Sequence, residues 1–245
     1  MSQSLISSID PQAKTFEIDG DEAFHLIRVL RKKVGDQINL FDGRAQQYLG
    51  EISFLDPQTL LIRGSLVNTN LPQIKKHQVR LFQGIPRGSK FDYVIEKAGE
   101  LGVHAIVPFL SEKNLIKLTR EQKIAKQKRW QNLAKAAAKQ SEQSSIPLIG
   151  SVIELGEIPR LLGSHPALVL NKDGELNLKE CLERLKVEEG LINILVGPES
   201  GLTRGEMEFL KRIGGLAVSL GKRVLRSETA GLVALSIINY ELNLF

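Results

Sequence analysis

Two rhythms of apolar residues divide this chain. Short alternating runs at Thr15 to Ile18, Gln37 to Phe41, Gln47 to Phe54 and Thr59 to Ile62 are separated by the turn signals Gly35-Asp36, Asp42-Gly43 and Asp56-Pro57, and they predict a small β-rich module. Between Asp21 and Lys33, Ala23, Ile27 and Leu30 recur at helical spacing with His25, Arg28 and Lys32 opposite them, predicting one amphipathic helix with a basic outer stripe. The polar stretch from Asn68 to Gln73 contains Pro72, and the pattern changes character after it. The boundary is placed there, giving domains 1–70 and 75–245.

From Gln78 onward, apolar runs alternate with helical patterns: Val79 to Phe82, Val103 to Phe109, Ala167 to Leu170, Leu191 to Val196 and Leu216 to Leu220. That alternation predicts an α/β fold with a mainly parallel sheet covered on both faces. Ser89 is positioned to cap a helix that stops at Gly102, Ser227 to cap a last helix from Glu228 to Leu242, and Thr119 with Gln122 and Thr203 with Glu206 fit the reciprocal capping pattern. The helix after Thr119 places Trp130, Leu133, Ala134, Ala137, Ala138 and Ser141 on one packing face.

Composition narrows the function classes. Lys and Arg number 33 against 28 Asp and Glu, a net charge of +5, which favours an anionic partner such as nucleic acid. Cys181 is the lone cysteine, so no internal disulfide forms, and four scattered histidines offer no zinc spacing, so no metal is expected. No apolar stretch approaches the roughly 20 residues that span a bilayer, and no export signal opens the chain. The expectation is a cytoplasmic protein without a membrane partner. His77, His104 and His165 have no nucleophile or carboxylate motif beside them and read as structural or solvated, and Cys181 as a buried apolar residue.

The chemistry concentrates in two glycine-bearing turns. After the run Leu191 to Val196, Gly197 lets the backbone turn closely, Pro198 restricts it, and Gly201 permits an unusual dihedral before the helix capped by Thr203. An ordinary strand-to-helix connection with a solvated Glu199 explains that loop about as well as a ligand does. The second turn, Leu220 to Ser227, holds the apolar pair Val224-Leu225 in a loop, either as a plug for the core or as a wall for a planar ligand. Arg226 and Glu228 flank it, readable as a structural ion pair at a helix start or as catalytic groups.

Four segments together carry a resemblance. They are Gly197-Pro198-Glu199-Ser200-Gly201-Leu202, the run from Leu220 to Ala230, the run from Lys90 to Val103, and His25-Leu26-Ile27-Arg28-Val29-Leu30-Arg31 with Gly35-Asp36. In this order they resemble the bacterial 16S ribosomal RNA (uracil-N3) methyltransferases, over nearly the whole chain. The resemblance implies a SPOUT-type α/β methyltransferase domain with a carboxy-terminal trefoil knot, preceded by a small PUA-like β-barrel domain that binds RNA. It implies S-adenosylmethionine held by three loops near Leu170, at Val196, Gly197, Pro198, Glu199 and Gly201, and at Leu220, Gly221, Val224, Leu225 and Ser227. It also implies a homodimer acting on 16S ribosomal RNA or the small ribosomal subunit.

Methylation of uracil N3 requires loss of a weakly acidic proton. A cation beside O2 or O4 would stabilise the resulting anion, and Arg226 is the candidate, with Glu199 or Glu228 as proton acceptor or base-orienting group. RNA contacts are expected from Arg28, Arg31 and Lys32, then Arg87 and Lys90, with Gln140 and the basic run Lys113 to Lys139, whose only acid is Glu121, as further candidates. Where relatives commonly show Glu-Gln-Ser-x-Arg, this chain has Lys139-Gln140-Ser141-Glu142-Gln143, which puts target positioning in question more than cofactor binding. Two rival readings remain: a noncatalytic RNA-binding ribosome-assembly factor, and a knotted methyltransferase acting on a ribose 2'-hydroxyl. The intact cofactor loops argue against the first, and the amino-terminal motif against the second.

Overall fold

The computed structural model describes residues 3–10, 12–43, 46–70, 77–114, 116–141, 143, 145–185 and 190–244. Contacts divide the chain into two units, Met1–Ile74 with Ala138–Ile146, and Lys75–Ala137 with Pro147–Phe245. Of the expected polar linker, residues 71 to 73 lie outside the described residues, as does Glu142.

The first unit contains β1 (Gln3–Leu5), β2 (Ser8–Asp10), β3 (Thr15–Asp19), α1 (Gly20–Phe24), β4 (Gln37–Phe41), β5 (Gln47–Asp56) and β6 (Leu61–Asn70). They form one sheet in the order β1-β4-β5-β6-β3-β2, antiparallel except for β1 on β4. The two end strands are consecutive in sequence, and the link between them bonds to both sides: the Ile6 amide donates to the Phe41 carbonyl at 3.0 Å and the Ser7 amide to that of Glu17 at 2.9 Å. Phe16, Ile18, Ala23, Leu26, Leu40, Ile52 and Ile62 fill its core.

Three expectations for this unit are corrected. The first helix is short: after α1 the chain widens into a π-turn, His25–Val29, closed by the Leu30 amide on the His25 carbonyl at 3.0 Å. That extra residue per turn rotates the face, so Leu26 is buried, Ile27 only partly, and Leu30 is exposed. Thr59 does not start a strand; it lies in a turn with its hydroxyl on Asp56 and with Leu60 at φ 51, so β6 begins at Leu61. Asn68 to Asn70 are strand rather than linker, paired with Gln47 to Leu49, because the backbone ladder is satisfied there whatever the side chains prefer.

The second unit contains β7 (His77–Gly84), α2 (Lys90–Glu100), β8 (Ala105–Leu110), α3 (Arg120–Gln140, whose last residues count with the first unit), β9 (Leu148–Ile149) and β10 (Ile153–Glu154). It continues with α4 (Pro159–Leu162), β11 (Ala167–Leu170), β12 (Leu176–Asn177), α5 (Leu178–Leu185), β13 (Gly190–Val196), α6 (Arg204–Arg212), β14 (Gly215–Ser219) and α7 (Ser227–Glu241). The strand order is β10-β8-β7-β13-β11-β14-β12, with β9 also on β8, and every pairing is parallel. β8 is buried along its whole length and β13 along nearly all of it, as a parallel sheet covered on both faces requires. On α3, Trp130, Ala134, Ala137 and Ala138 are buried, and the Trp130 ring lies against Phe91 of α2.

Capping follows the sequence in part. Thr203 accepts from the Glu206 amide while the Glu206 carboxylate accepts from the Thr203 amide, and Thr119 and Gln122 pair in the same way. Ser89 precedes α2 but its side chain makes no capping bond; its carbonyl accepts from the Asp92 amide instead. Gly102, at φ 72, ends that helix as expected.

Candidate active site

In a parallel sheet the loops that leave the carboxyl ends of the strands gather along one edge. The loops after β11, β13 and β14 do so here, around a cavity of about 830 Å³ in the second unit. Leu170 and Asn171 to Asp173 come from the first loop, Val196 to Glu199 and Gly201 from the second, and Leu220, Gly221 and Arg223 to Ser227 from the third. All the residues expected to touch a cofactor therefore line one space, together with Glu228, Lys90, Leu202, Met207 and Val218. The structure brings Arg226, Glu199 and Glu228 to the same lining.

Close backbone approach shapes this space. A Cβ on Gly84, at the end of β7, would lie 2.5 Å from the Pro198 nitrogen, so only glycine lets the strand end press against the second loop. Gly201 turns at φ 69, with its amide on the Pro198 carbonyl at 2.8 Å. The wall is partly apolar, through Leu170, Val196, Leu202, Val218, Leu220 and Leu225. Val224 is 79% exposed, so it is not a plug for the core; it stands at the cavity's surface.

Ser227 does not cap α7, as the sequence suggested. It is the first helical residue, and its hydroxyl is committed elsewhere: it donates to the Gly197 carbonyl at 2.6 Å and accepts from Gln83 Nε2 at 2.8 Å. Gln83, fully buried at the end of β7, also donates to the Gly84 carbonyl at 3.2 Å, while its Oε1 is buried with no hydrogen-bond partner among the described residues. Sequence reasoning missed Gln83, although a glutamine at the end of an apolar strand and next to a glycine was a usable signal.

The charged groups divide into paired and open. Lys90 Nζ bonds Glu199 Oε1 and lies 3.6 Å from Glu228 Oε1, and the Arg87 amide donates to Glu199 Oε2 at 3.2 Å. The Lys90 hydrogen bond holds the Glu199 carboxyl below the usual range, and that same bond pushes the Lys90 ammonium up. Glu228 is buried at 8% exposure, and its Oε2 has no hydrogen-bond partner among the described residues. Arg226 is exposed and makes no ion pair among the described residues, which removes the structural-pair reading of Arg226 with Glu228.

The remaining candidates lie elsewhere. In the first unit, Arg28 Nη2 reaches the Pro57 carbonyl at 3.4 Å, Lys32 Nζ donates to the Gln37 carbonyl at 3.2 Å, and Arg31 is exposed at φ 52. Lys139 is paired with Glu22, and Gln140 is exposed at the end of α3. His77 and Cys181 are buried, His104 is half-buried and His165 exposed, and none lines the cavity. Among the described residues no cluster of three His, Cys, Asp or Glu is placed to hold a metal, and no helix is long and apolar enough to cross a membrane.

Comparisons with known proteins bear on this geometry. A family model described as an RNA methyltransferase domain matches residues 73–239, and one described as an RNA methyltransferase PUA domain matches residues 18–63. The ribosomal RNA small subunit methyltransferase E of Bacillus subtilis is 34% identical over 241 residues, 95% of this chain and 93% of that protein. The protein of the same name from Synechocystis is 32% identical, over 88% of this chain and 69% of its own length. The crystal structure of a ribosomal RNA small subunit methyltransferase E from Neisseria gonorrhoeae, bound to S-adenosyl methionine, superposes with a TM-score of 0.85 at 26% identity, covering 98% of each chain. By the extent of these matches, the chain belongs to the RNA methyltransferase family that contains the ribosomal RNA small subunit methyltransferase E proteins.

Proposed function

We infer that the cavity holds S-adenosylmethionine and that its methyl group is transferred to N3 of a uridine in the 16S ribosomal RNA of the small subunit. Family membership carries the coarser part: the chain is an S-adenosylmethionine-dependent ribosomal RNA methyltransferase with an amino-terminal PUA-like domain. The observation that supports the finer part is the convergence of the loops after β11, β13 and β14 on one space with an unpaired arginine at its lining.

The residues present fit this cofactor. A volume of about 830 Å³ lies within the range of roughly 300–1,000 Å³ typical of small-molecule sites. The apolar side chains of Leu170, Val196, Leu220 and Leu225 suit a purine face, and the carboxylates of Asp173, Glu199 and Glu228 suit a cationic sulfonium and amine. When bound, that group supplies an electrophilic methyl carbon.

The chain's own task is to orient the base and favour its anion. Arg226, free of internal partners among the described residues, is placed to stabilise negative charge on a uracil oxygen as N3 loses its proton. Glu199, kept ionised by Lys90 and the Arg87 amide, is a weak base, so Glu228 and solvent remain as acceptors of that proton. Arg28, Arg31 and Lys32, with Arg87 and Gln140, are assigned to RNA phosphate and sugar contacts that set register and carry no sequence information themselves.

Residues 1–70 are read as the RNA-binding domain and 75–245 as the methyltransferase domain. A carboxy-terminal trefoil knot is supported by the path of the chain: β14 pairs with β11, yet α7, which follows it, packs on β13, β7 and α2. A homodimer, as the resemblance implies, acting in the cytoplasm completes the reading. Mass spectrometry of 16S ribosomal RNA from a deletion strain tests the whole: one N3-methyluridine is absent and returns on complementation. Loss of a 2'-O-methyl mark instead would transfer the activity to ribose, and an unchanged RNA would leave only a binding role.

A further inference from the structure

The start of α2 contributes something to the cavity that its position next to an RNA-modifying site conceals. Lys90 is the first residue of that helix, and its ammonium meets carboxylates from two separate segments: Glu199 of the loop after β13, and Glu228 in the first turn of α7. The Arg87 amide adds a second donor on Glu199, so the turn before α2 grips the second loop by main chain and side chain together. Glu228 is the less tolerant partner. Its side chain is 10% exposed, its Oε1 lies 3.6 Å from Lys90 Nζ, and no other ion pair to it exists among the described residues. A buried carboxylate deprived of its cation keeps the full cost of leaving water, so this contact matters more than the same pair would on an open surface.

The two segments joined by Lys90 are joined a second time through Gln83, Ser227 and the Gly197 carbonyl. One tie is neutral, made from the end of β7; the other is charged, made from the start of α2. Both connect the loop after β13 to the start of α7, the pair of segments between which the cavity opens.

We propose that Lys90 is a positioning residue of the cofactor site, holding Glu199 and Glu228 in one register so that the loop after β13 and the start of α7 keep the spacing that admits the cofactor, and that it is not a phosphate contact. The inference rests on the reading of the cavity as the S-adenosylmethionine site. A lysine serving RNA would keep its ammonium unpaired, as Arg226 keeps its guanidinium among the described residues; the Lys90 side chain is 40% exposed, but its ammonium is paired with two carboxylates of its own chain.

The experiment uses the full-length protein, S-adenosylmethionine and a 16S ribosomal RNA transcript. Calorimetry with the unaltered protein comes first: no binding of S-adenosylmethionine there defeats the function itself, before any variant is compared. For Lys90→Met, the dissociation constant and KM for S-adenosylmethionine rise about tenfold or more while kcat stays within about threefold, and Lys90→Arg recovers most of the loss. The slope of log RNA affinity against log salt is unchanged. If Lys90→Met does not fold, Lys90→Met with Glu228→Gln, which removes the stranded carboxylate, takes its place and is compared with Glu228→Gln alone, by cofactor affinity and salt slope and not by kcat, since Glu228 is itself a candidate proton acceptor. Cofactor affinity within twofold of the parent in the variant that folds overturns the proposal, and a salt slope lowered by about one contact at unchanged cofactor affinity reassigns Lys90 to the RNA.

Discussion

The Ser227 hydroxyl donates to the Gly197 carbonyl oxygen at 2.6 Å across thirty positions of sequence, while its own oxygen accepts from Gln83 Nε2 at 2.8 Å. This chain of donors fixes the direction of each bond: amide to hydroxyl, hydroxyl to carbonyl. Ser227→Ala removes the middle of it, leaving the fully buried Gln83 amide with only the Gly84 carbonyl as acceptor and the Gly197 carbonyl without its hydroxyl donor, a loss of about 1–3 kcal/mol. Chemical denaturation is expected to read that loss, and calorimetry a weaker hold on S-adenosylmethionine, since the carbonyl that Ser227 fixes belongs to the cavity wall.

Gly84→Ala places a methyl group 2.5 Å from the Pro198 nitrogen and must displace the loop after β13. Overpacking of this kind costs about 1–3 kcal/mol, and the cofactor affinity falls with it. Gly156→Ala, where a Cβ meets nothing within 4 Å, is the control and leaves both the denaturation midpoint and the affinity unchanged.

Arg226→Ala is expected to lower kcat by about 10²–10³, the usual scale for losing one group that stabilises developing negative charge, with cofactor binding preserved. Single-turnover assays alongside calorimetry separate the two. An Arg226→Ala protein with full turnover would remove the electrostatic role.

Charge reversal at Arg28 and Arg31 weakens binding to 16S ribosomal RNA and flattens its dependence on salt, because each lost phosphate contact lowers the slope by about 0.7–0.9. Filter binding across a salt series measures it. An unaltered slope would discard this face of the first unit.

Burial of His104, with Arg80 nearby as the lesser cause, holds its imidazole below the ordinary 6.5. The unfolded chain therefore takes up this proton at a higher pH than the folded one. Stability is full above the unfolded value and declines as pH falls below about 6.5, until the folded imidazole itself protonates. Urea titrations at pH 7.5 and pH 5.5 should show the decline, and His104→Asn should shrink it.

Much of this arrangement is legible in residue order, for reasons that differ by element. Ala167 to Leu170 is an uninterrupted apolar run bounded by Pro166 and Asn171, and it forms β11 over those same residues. The loop at Gly197 announces itself because glycine and proline constrain the backbone directly. Thr203 and Glu206 are readable because a cap is a local bargain between neighbours. What stays hidden depends on partners distant in sequence. Lys90 reads as one more cation near a helix start until Glu199 and Glu228 arrive beside it. Lys139 reads as one more cation of a basic run until Glu22 is found against it. The π-turn at His25–Val29 evades any count based on 3.6 residues per turn, and it moves burial from Leu30 to Leu26.

The placement of β13 between β7 and β11 bears on how the molecule comes into being. Among the described residues β11 has hydrogen-bonded neighbours only in β13 and β14, both later in the chain, so until residue 190 has been synthesised neither of those partners is there to join. Closure of the second unit's sheet thus waits for its carboxy-terminal third, although β7 to β10 can pair earlier, and fragments that stop short of Gly190 would expose an orphaned apolar edge attractive to chaperones and to other unfinished chains.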